Sequence, residues 1–152
     1  MHISYCFLNK RTATIDAIKA YSSMKFILEN TADEIVAAAH ATVGLGSPSI
    51  DGMPHAHNPQ SAEDKIVNGI EEIDVLKERD RQAEQYMAWF EPAWSKLTES
   101  ERIILTSFYS SEEDAQNAVS LMSDLFHIER TTVYNRKNIA LKHLTRLLYG
   151  QA

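Results

Sequence analysis

Glycine and proline are scarce in this chain and are concentrated in one segment. The 152 residues include five glycines and four prolines, and six of these nine fall within residues 44–61. Because glycine and proline are the residues that most often interrupt regular structure, little on either side of this segment would stop a helix. Residues 11–43 contain neither of them. The chain is therefore predicted to be all-α, with a loop at residues 44–61.

Apolar residues before that loop recur in steps of three, four or seven, which predicts a helix with one buried stripe. They are Ile15, Ile18, Tyr21, Leu28, Ile35 and Ala39. Thr31 and Glu34 have the spacing of a capping box, a pair of side chains that begins a helix. We therefore expect two helices here, with a break near Asn30. Residues 1–8 fit a short strand and a frayed arm equally well.

A second long helix is predicted over residues 62–91. Ser61 suits the position before a helix, and the apolar residues that follow alternate in steps of three and four, as in a coiled coil. Pro92 has no amide hydrogen, so the helix is expected to end just before it. Gly69 and Asp80 interrupt the apolar seam. Packing within the chain is therefore favoured, and a homodimer through this helix is the alternative.

Residues 95–152 are predicted to form a module of three helices, following a helical N-terminal region at residues 1–94. Thr98 and Glu101 have capping-box spacing and open the first helix of the module. A second short helix follows, then a turn, then a final helix over residues 130–149. A short turn between the last two of three helices is typical of a helix-turn-helix, in which the last helix enters the major groove of DNA.

The charge of the chain is distributed unevenly. Its formal net charge is −6, which argues against a nucleic-acid partner. Residues 1–126, however, hold 10 basic and 20 acidic side chains, a balance of −10, whereas residues 127–152 hold five basic and one acidic, a balance of +4. A basic end that complements the dipole of its own helix would give the same count. The second interpretation is a basic surface for DNA.

The final helix carries side chain types that recognise DNA. Its asparagines can pair with adenine and its first arginine with guanine. Its threonines can bond a phosphate or touch a thymine methyl group, and its lysines suit contacts with the DNA backbone. The predicted DNA-binding residues are Arg130, Thr131, Thr132, Tyr134, Asn135, Arg136, Lys137, Asn138 and Lys142. The predicted inner face of the same helix consists of Val133, Ala140, Leu141, Leu144, Leu147 and Leu148.

Three short motifs in this region resemble region 4 of sigma-70-type factors, whose patterns are L-x-x-x-E-R-x-x-L, I-S-x-x-T-V and R-x-x-x-A-L-x-x-L. The matching residues are Leu97, Glu101, Arg102, Leu105, Ile128, Thr132, Val133, Arg136, Ala140, Leu141 and Leu144. The resemblance implies a helix-turn-helix of the winged-helix-like superfamily. It also implies binding to an upstream promoter element and to the flap of RNA polymerase.

The chain departs from that family at three positions. His127 stands where the family has a glycine before the isoleucine of the turn, and Glu129 stands where it has a serine. Ser123 stands where a small alanine is expected. The layout of the chain, with a helical N-terminal region, a loop, a long acidic helix and this module, is similar to small phage regulators of the ArpU/RinA type from Gram-positive bacteria.

The expected function is therefore a sequence-specific, DNA-binding transcriptional regulator of phage or prophage type. Its expected partners are double-stranded DNA, through the major groove, and RNA polymerase. The alternative is a non-catalytic adaptor, or a phage DNA-packaging or assembly subunit, that uses the same helices to contact protein. Salt-dependent DNA binding would separate a regulator from an adaptor, because neutralising phosphates releases counterions.

The protein is expected to have neither enzymatic activity nor a cofactor. The sequence has no nucleophile elbow, phosphate-binding glycine loop or dinucleotide fingerprint. His55 and His57 lie close together in the loop, but no group of Cys, Asp or Glu completes a coordination set, so no metal is expected. The single cysteine, Cys6, fits a reducing cytoplasm. No apolar run approaches the roughly 20 residues that a membrane-spanning helix needs.

Overall fold

The computed structural model describes residues 9–44, 59–110 and 115–150. Within these ranges every regular element is an α-helix, so the predicted all-α class is confirmed. The helices α1 to α5 span, in order, Lys10–Gly44, Pro59–Ser95, Glu99–Tyr109, Ala115–Phe126 and Arg130–Tyr149. The strand or arm considered for residues 1–8 lies outside the described residues.

Helix α1 is continuous, so the predicted break near Asn30 is wrong. The side chains that suggested a capping box serve contacts with α2 instead. Thr31 is buried, and its hydroxyl accepts a hydrogen bond from Nη2 of Arg79 at 2.9 Å. Glu34 forms an ion pair with the same guanidinium. With both side chains held by Arg79, neither is left to cap a helix, and the backbone continues through Asn30 as helix.

Helix α2 extends past the predicted range of 62–91 at both ends. It begins at Pro59, because proline is favoured in the first helical turn, where its missing N–H has no partner to lose. It also continues through Pro92 to Ser95. Ala93 and Trp94, directly after the proline, are buried, and their burial offsets the lost backbone hydrogen bond.

Contacts divide the chain into two compact units, and unit 2 consists of residues 25–85. Here the C-terminal part of α1 packs antiparallel on the N-terminal part of α2. Gly69 lies directly against Thr42, and Arg79 binds Thr31 further along the pair. Ala83 of α2 is fully buried in this unit. This part of α2 thus packs within the chain.

Unit 1 consists of the described residues of 1–24 and 86–152. Its main core joins the first turns of α1 to the end of α2, to α3 and to α5. The core residues are Ala17, Ile18, Phe90, Ala93, Trp94, Leu97, Leu105, Ala140, Leu141 and Leu144. A second cluster of Ile104, Met122 and Val133 lies where α3, α4 and α5 meet. The central part of the predicted inner face of α5 is therefore buried, whereas Leu147 at its end is 40% exposed.

Candidate nucleic-acid interface

The turn between α4 and α5 consists of residues 127–129. His127 has a φ of 51°, a left-handed conformation that favours glycine. The next residue is held in place by Ser123, since the Ile128 N–H donates to the Ser123 carbonyl at 3.1 Å. In return, the Ser123 hydroxyl donates to the Ile128 carbonyl at 2.5 Å. The Ser123 hydroxyl thus adds a hydrogen bond across the turn that an alanine could not make. Ile128 packs on the second core cluster.

Helix α5 begins without a side-chain cap. Glu129 is at the position before the helix and is extended, with φ −67° and ψ 151°, but its carboxylate makes no capping hydrogen bond. The first N–H groups of α5 therefore receive no side-chain acceptor from Glu129. The helix itself contains no aspartate or glutamate between Arg130 and Tyr149. Its lysine and arginine side chains are therefore not offset by any acidic side chain of the same helix.

Four of the nine predicted residues form one outward stripe on α5. Thr131, Asn135, Asn138 and Lys142 follow one another in steps of four, three and four residues, which places them on one side of a helix. All four are exposed. The buried residues of α5, such as Val133, Ala140 and Leu144, lie on the opposite side. Polar groups with hydrogen-bonding capacity therefore face solvent along about 16 Å of helix.

The other five predicted residues lie at the start and on the flanks of this stripe. Arg130 is exposed at the beginning of the helix. On the side of α4, Thr132 is half-buried, and the guanidinium of Arg136 lies 6.0 Å from the ring centroid of Phe126. The remaining two, Tyr134 and Lys137, lie on the side of α3. The structure thus brings four predicted residues onto one stripe and distributes the others around it.

Lys137 lies among aromatic rings. Its ammonium is 5.1 Å from the ring centroid of Phe108 and 5.3 Å from that of Tyr134. Partial burial lowers the pKa of Lys137, and the positive charge of Arg11 lowers it further. The side chain links α5 to α3 through cation–π contacts, which gives it a packing role in addition to its charge.

Asn138, unlike Asn135, has a hydrogen-bond partner among the side chains that the structure describes. Its Oδ1 accepts a hydrogen bond from Nη2 of Arg11, at the start of α1, at a distance of 3.0 Å. A bidentate pair with adenine needs both the oxygen and the nitrogen of an asparagine amide. The oxygen of Asn138 is already in use, so Asn135 is the asparagine of the stripe that remains better suited to reading a base.

Sequence reasoning missed the basic residues that α1 adds to this surface. Lys10 and Arg11 line a cleft beside α5 together with Asn138 and Lys142. In the charge count along the chain they belong to the acidic segment 1–126, and nothing local marks them as neighbours of α5. The buried hydrogen bond that joins α1 to α5 links residues 131 positions apart. A periodicity argument, however, could have found Arg146, which is exposed four residues after Lys142.

No protein-family model, curated protein or solved structure matches the chain. The motif residues that resemble region 4 of sigma-70-type factors lie in and around α3 to α5. Within α3, Glu101 completes the predicted capping box with Thr98, which the structure confirms.

Two other features, a cluster of metal ligands and a membrane-spanning helix, are absent from the part of the chain that the structure describes. No group of three or more His, Cys, Asp or Glu side chains there could hold a metal ion. The pair His55 and His57 lies outside the described residues. None of the described helices is both long enough and apolar enough to cross a membrane.

Proposed function

We propose that the protein is a sequence-specific, DNA-binding regulator of transcription, of the kind found among small phage regulators. The observation that carries the proposal is the exposed polar stripe of α5 on a helix that has no acidic side chain. A surface of this composition suits a polyanion with hydrogen-bonding groups in its grooves. The overall charge of −6 does not oppose it, because the charge near the contact decides whether phosphates are attracted.

In this proposal α4, the turn at 127–129 and α5 act as a helix-turn-helix, with α5 as the recognition helix. The major groove is about 12 Å wide and accepts a helix with its side chains, which is about 10–12 Å across. In such motifs the first residues of the recognition helix contact the bases. Arg130, Thr131 and Asn135 occupy this part of α5, and Lys142 lies further along, where the helix would leave the groove.

Each side chain then has a distinct chemical role. Asn135 would pair with adenine and Arg130 with guanine, both through two hydrogen bonds. Thr131 would contact a thymine methyl group or a phosphate, and Lys142 would neutralise a phosphate whatever the sequence. About four neutralised phosphates would give a slope of about −3.6 for the logarithm of the binding constant against that of the salt concentration.

The test is selection of bound sequences from random DNA by the purified full chain, followed by titration of the selected duplex. We expect Arg130→Ala with Asn135→Ala to relax the preference at the contacted bases by about 1–3 kcal/mol each. Asn117 is an exposed asparagine on α4, so Asn117→Ala is the matched control and should leave the preference unchanged. An unaltered preference in the double variant would exclude α5 as the recognition helix.

An adaptor function is the second candidate, and one observation favours it. Leu121 and Leu125, one turn apart on α4, are 54% and 55% exposed. The spacing of the apolar residues of α4 predicts that both leucines share its inner face with Ala118 and Met122, but only Ala118 and Met122 of these four are buried. Exposed leucines at this spacing suit a protein partner such as RNA polymerase. A full chain that shows no salt-dependent DNA binding, but loses a partner on Leu121→Gln, would support the adaptor over the DNA-binding regulator.

A further inference from the structure

We propose that the cleft between the start of α1 and α5 binds a phosphate of the DNA backbone. The proposal depends on the proposed function, because α5 must dock on DNA to bring a phosphate there, and it extends the DNA-binding surface to a second segment of the chain. The cleft has a volume of about 380 Å³. Its lining residues are Lys10, Arg11, Asn138, Leu141, Lys142 and Thr145.

Among the described residues, the charged side chains that line this cleft are all cationic. Lys10, Arg11 and Lys142 contribute three cations, and none of the acidic side chains in the described part of the chain lines it. Like charges that share a site repel one another, and an anion between them relieves the repulsion. Arg11 also acts on Lys137. Partial burial lowers the pKa of Lys137, and the positive charge of Arg11 lowers it further. The lining is therefore complementary to a phosphate.

One acidic side chain of α3, Glu101, lies close to Lys142 but is engaged by other partners. Glu101 lines a separate depression on the surface beside Lys142, together with His143. Its Oε1 lies 3.0 Å from Nδ1 of His143, and its Oε2 accepts the Thr98 N–H at 2.9 Å. Both oxygens of Glu101 make these contacts at the start of α3, and Glu101 does not line the cleft.

One donor of the cleft, the Arg11 guanidinium, is held by contacts between α1 and α5. Asn138 holds the Arg11 guanidinium through a 3.0 Å hydrogen bond, which restricts the rotamers of a long side chain before any ligand arrives. The helix that carries Arg11 is itself held on α5, since the buried hydroxyls of Thr14 and Thr145 are 3.0 Å apart. A guanidinium held in this way can give two parallel hydrogen bonds to a phosphate.

The cleft is also at a suitable distance from the residues that would read bases. Lys142 follows Asn135 by seven residues, which corresponds to about 10 Å along the helix axis. The major groove is about 12 Å wide, so a helix whose Asn135 contacts base edges brings Lys142 near the backbone that borders the groove. Arg11 and Asn138 lie beside Lys142 in the same cleft, on the path of that backbone.

The experiment compares Arg11→Gln with Lys19→Gln in the full chain. Both changes remove one exposed positive charge from α1, but Lys19 does not line the cleft. Fluorescence anisotropy would give the affinity for selected and unrelated duplexes over a range of salt concentrations. For Arg11→Gln we expect affinity to fall about tenfold for both duplexes, and the salt slope to become shallower by about 0.9, with preference unchanged. For Lys19→Gln we expect neither the fall in affinity nor the shallower salt slope.

A second titration with inorganic pyrophosphate, followed by NMR chemical shifts, separates the two possible sources of a phosphate. If the wild type binds DNA and Arg11→Gln behaves like Lys19→Gln, the cleft site is refuted and the proposed function stands. If the wild type binds pyrophosphate through Arg11 but binds no duplex, the cleft is a site for a free phosphate compound, and both DNA assignments are wrong. If it binds neither, both proposals are wrong.

Discussion

Glu101 has two structural roles at the start of α3. Its Oε2 accepts hydrogen bonds from the N–H and the hydroxyl of Thr98, at 2.9 and 3.0 Å, and its Oε1 contacts Nδ1 of His143 on α5 at 3.0 Å. Partial burial raises the pKa of Glu101, but the hydrogen bonds from Thr98 and His143 together lower it below its ordinary value. The glutamate of the L-x-x-x-E-R-x-x-L motif therefore stabilises the orientation of α5 and does not contact DNA in this proposal.

Glu101→Gln is expected to reduce the free energy of unfolding at pH 7 by about 1 kcal/mol, because a charged carboxylate accepts stronger hydrogen bonds from Thr98 and His143 than a neutral amide does. A carboxyl group whose pKa is lowered by folding stabilises the fold above its unfolded pKa, here 4.5. This stabilisation is lost as the pH falls through the lower folded pKa. Urea denaturation should therefore show a smaller difference between wild type and variant at pH 3 than at pH 7.

Glu99→Gln is the matched control for this prediction, since Glu99 is exposed in the same first turn of α3. Glu99→Gln should reduce the free energy of unfolding by less than Glu101→Gln does. It removes a charge near the helix start but changes none of the hydrogen bonds of the capping box. Equal losses for the two variants, or a difference between wild type and Glu101→Gln that does not change with pH, would contradict the role assigned to Glu101.

Asn138 shows how far the sequence could identify the candidate site. Its residue type and its spacing from Asn135 predict an exposed position on one stripe of α5, and the structure agrees. Its hydrogen bond to Arg11 joins residues 127 positions apart. Such a contact depends on how α1 packs on α5, and neither local periodicity nor charge counts carry that information. The stripe was therefore predictable, and the cleft beside it was not.

At the scale of the elements, helix bounds were predictable where the local signals and the packing agree. The bounds 130–149 of α5 are confirmed, because the turn residues and the apolar period point to the same limits. Where packing opposes a local signal, packing decides. Thr31 has the spacing of a cap but is buried against Arg79, and Pro92 would end α2 but precedes the buried Trp94. Both signals were local, and the contacts that outweigh them are distant in sequence.

Gly69 of α2 and Thr42 of α1 approach each other closely in unit 2. Gly69→Ala would gain about 1 kcal/mol of helix propensity. The added methyl group, however, would overlap Oγ1 of Thr42, which is held by a 2.8 Å hydrogen bond to the Ala38 carbonyl. We expect the cost of this overlap to exceed the gain in helix propensity. The free energy of unfolding measured by urea denaturation should therefore fall by about 1–2 kcal/mol.

Thr42→Ala removes the overlapping hydroxyl, so the double variant with Gly69→Ala should recover the stability lost in Gly69→Ala. The double-mutant cycle should therefore show an interaction energy between the two positions. Asn68→Ala, at an exposed neighbouring position of α2, should leave stability unchanged or slightly raised. A Gly69→Ala chain more stable than the wild type would show that α1 and α2 do not approach closely at Gly69.

At the scale of the whole molecule, the candidate interface depends on a segment far from it in sequence. Unit 1 joins the described residues of 1–24 to those of 86–152, so the core beneath α5 is completed by the first turns of α1. Ile18 and Phe90 are both buried there, and the ring centroids of Tyr21 and Phe90 are 5.2 Å apart. The module predicted from the sequence, residues 95–152, contains none of these side chains.

This difference can be tested with two shortened chains. The fragment 95–152 lacks Ile18, Phe90 and Trp94, each of which contributes about 2–3 kcal/mol by burial, so we expect it to lack a cooperative thermal transition. A chain in which a flexible linker of about six residues, spanning up to about 20 Å, replaces residues 25–85 keeps the whole of unit 1. We expect that chain to unfold cooperatively by circular dichroism and to retain the DNA affinity of the full chain. Cooperative unfolding and full DNA affinity of the fragment 95–152 would instead show that the C-terminal helices are an independent domain.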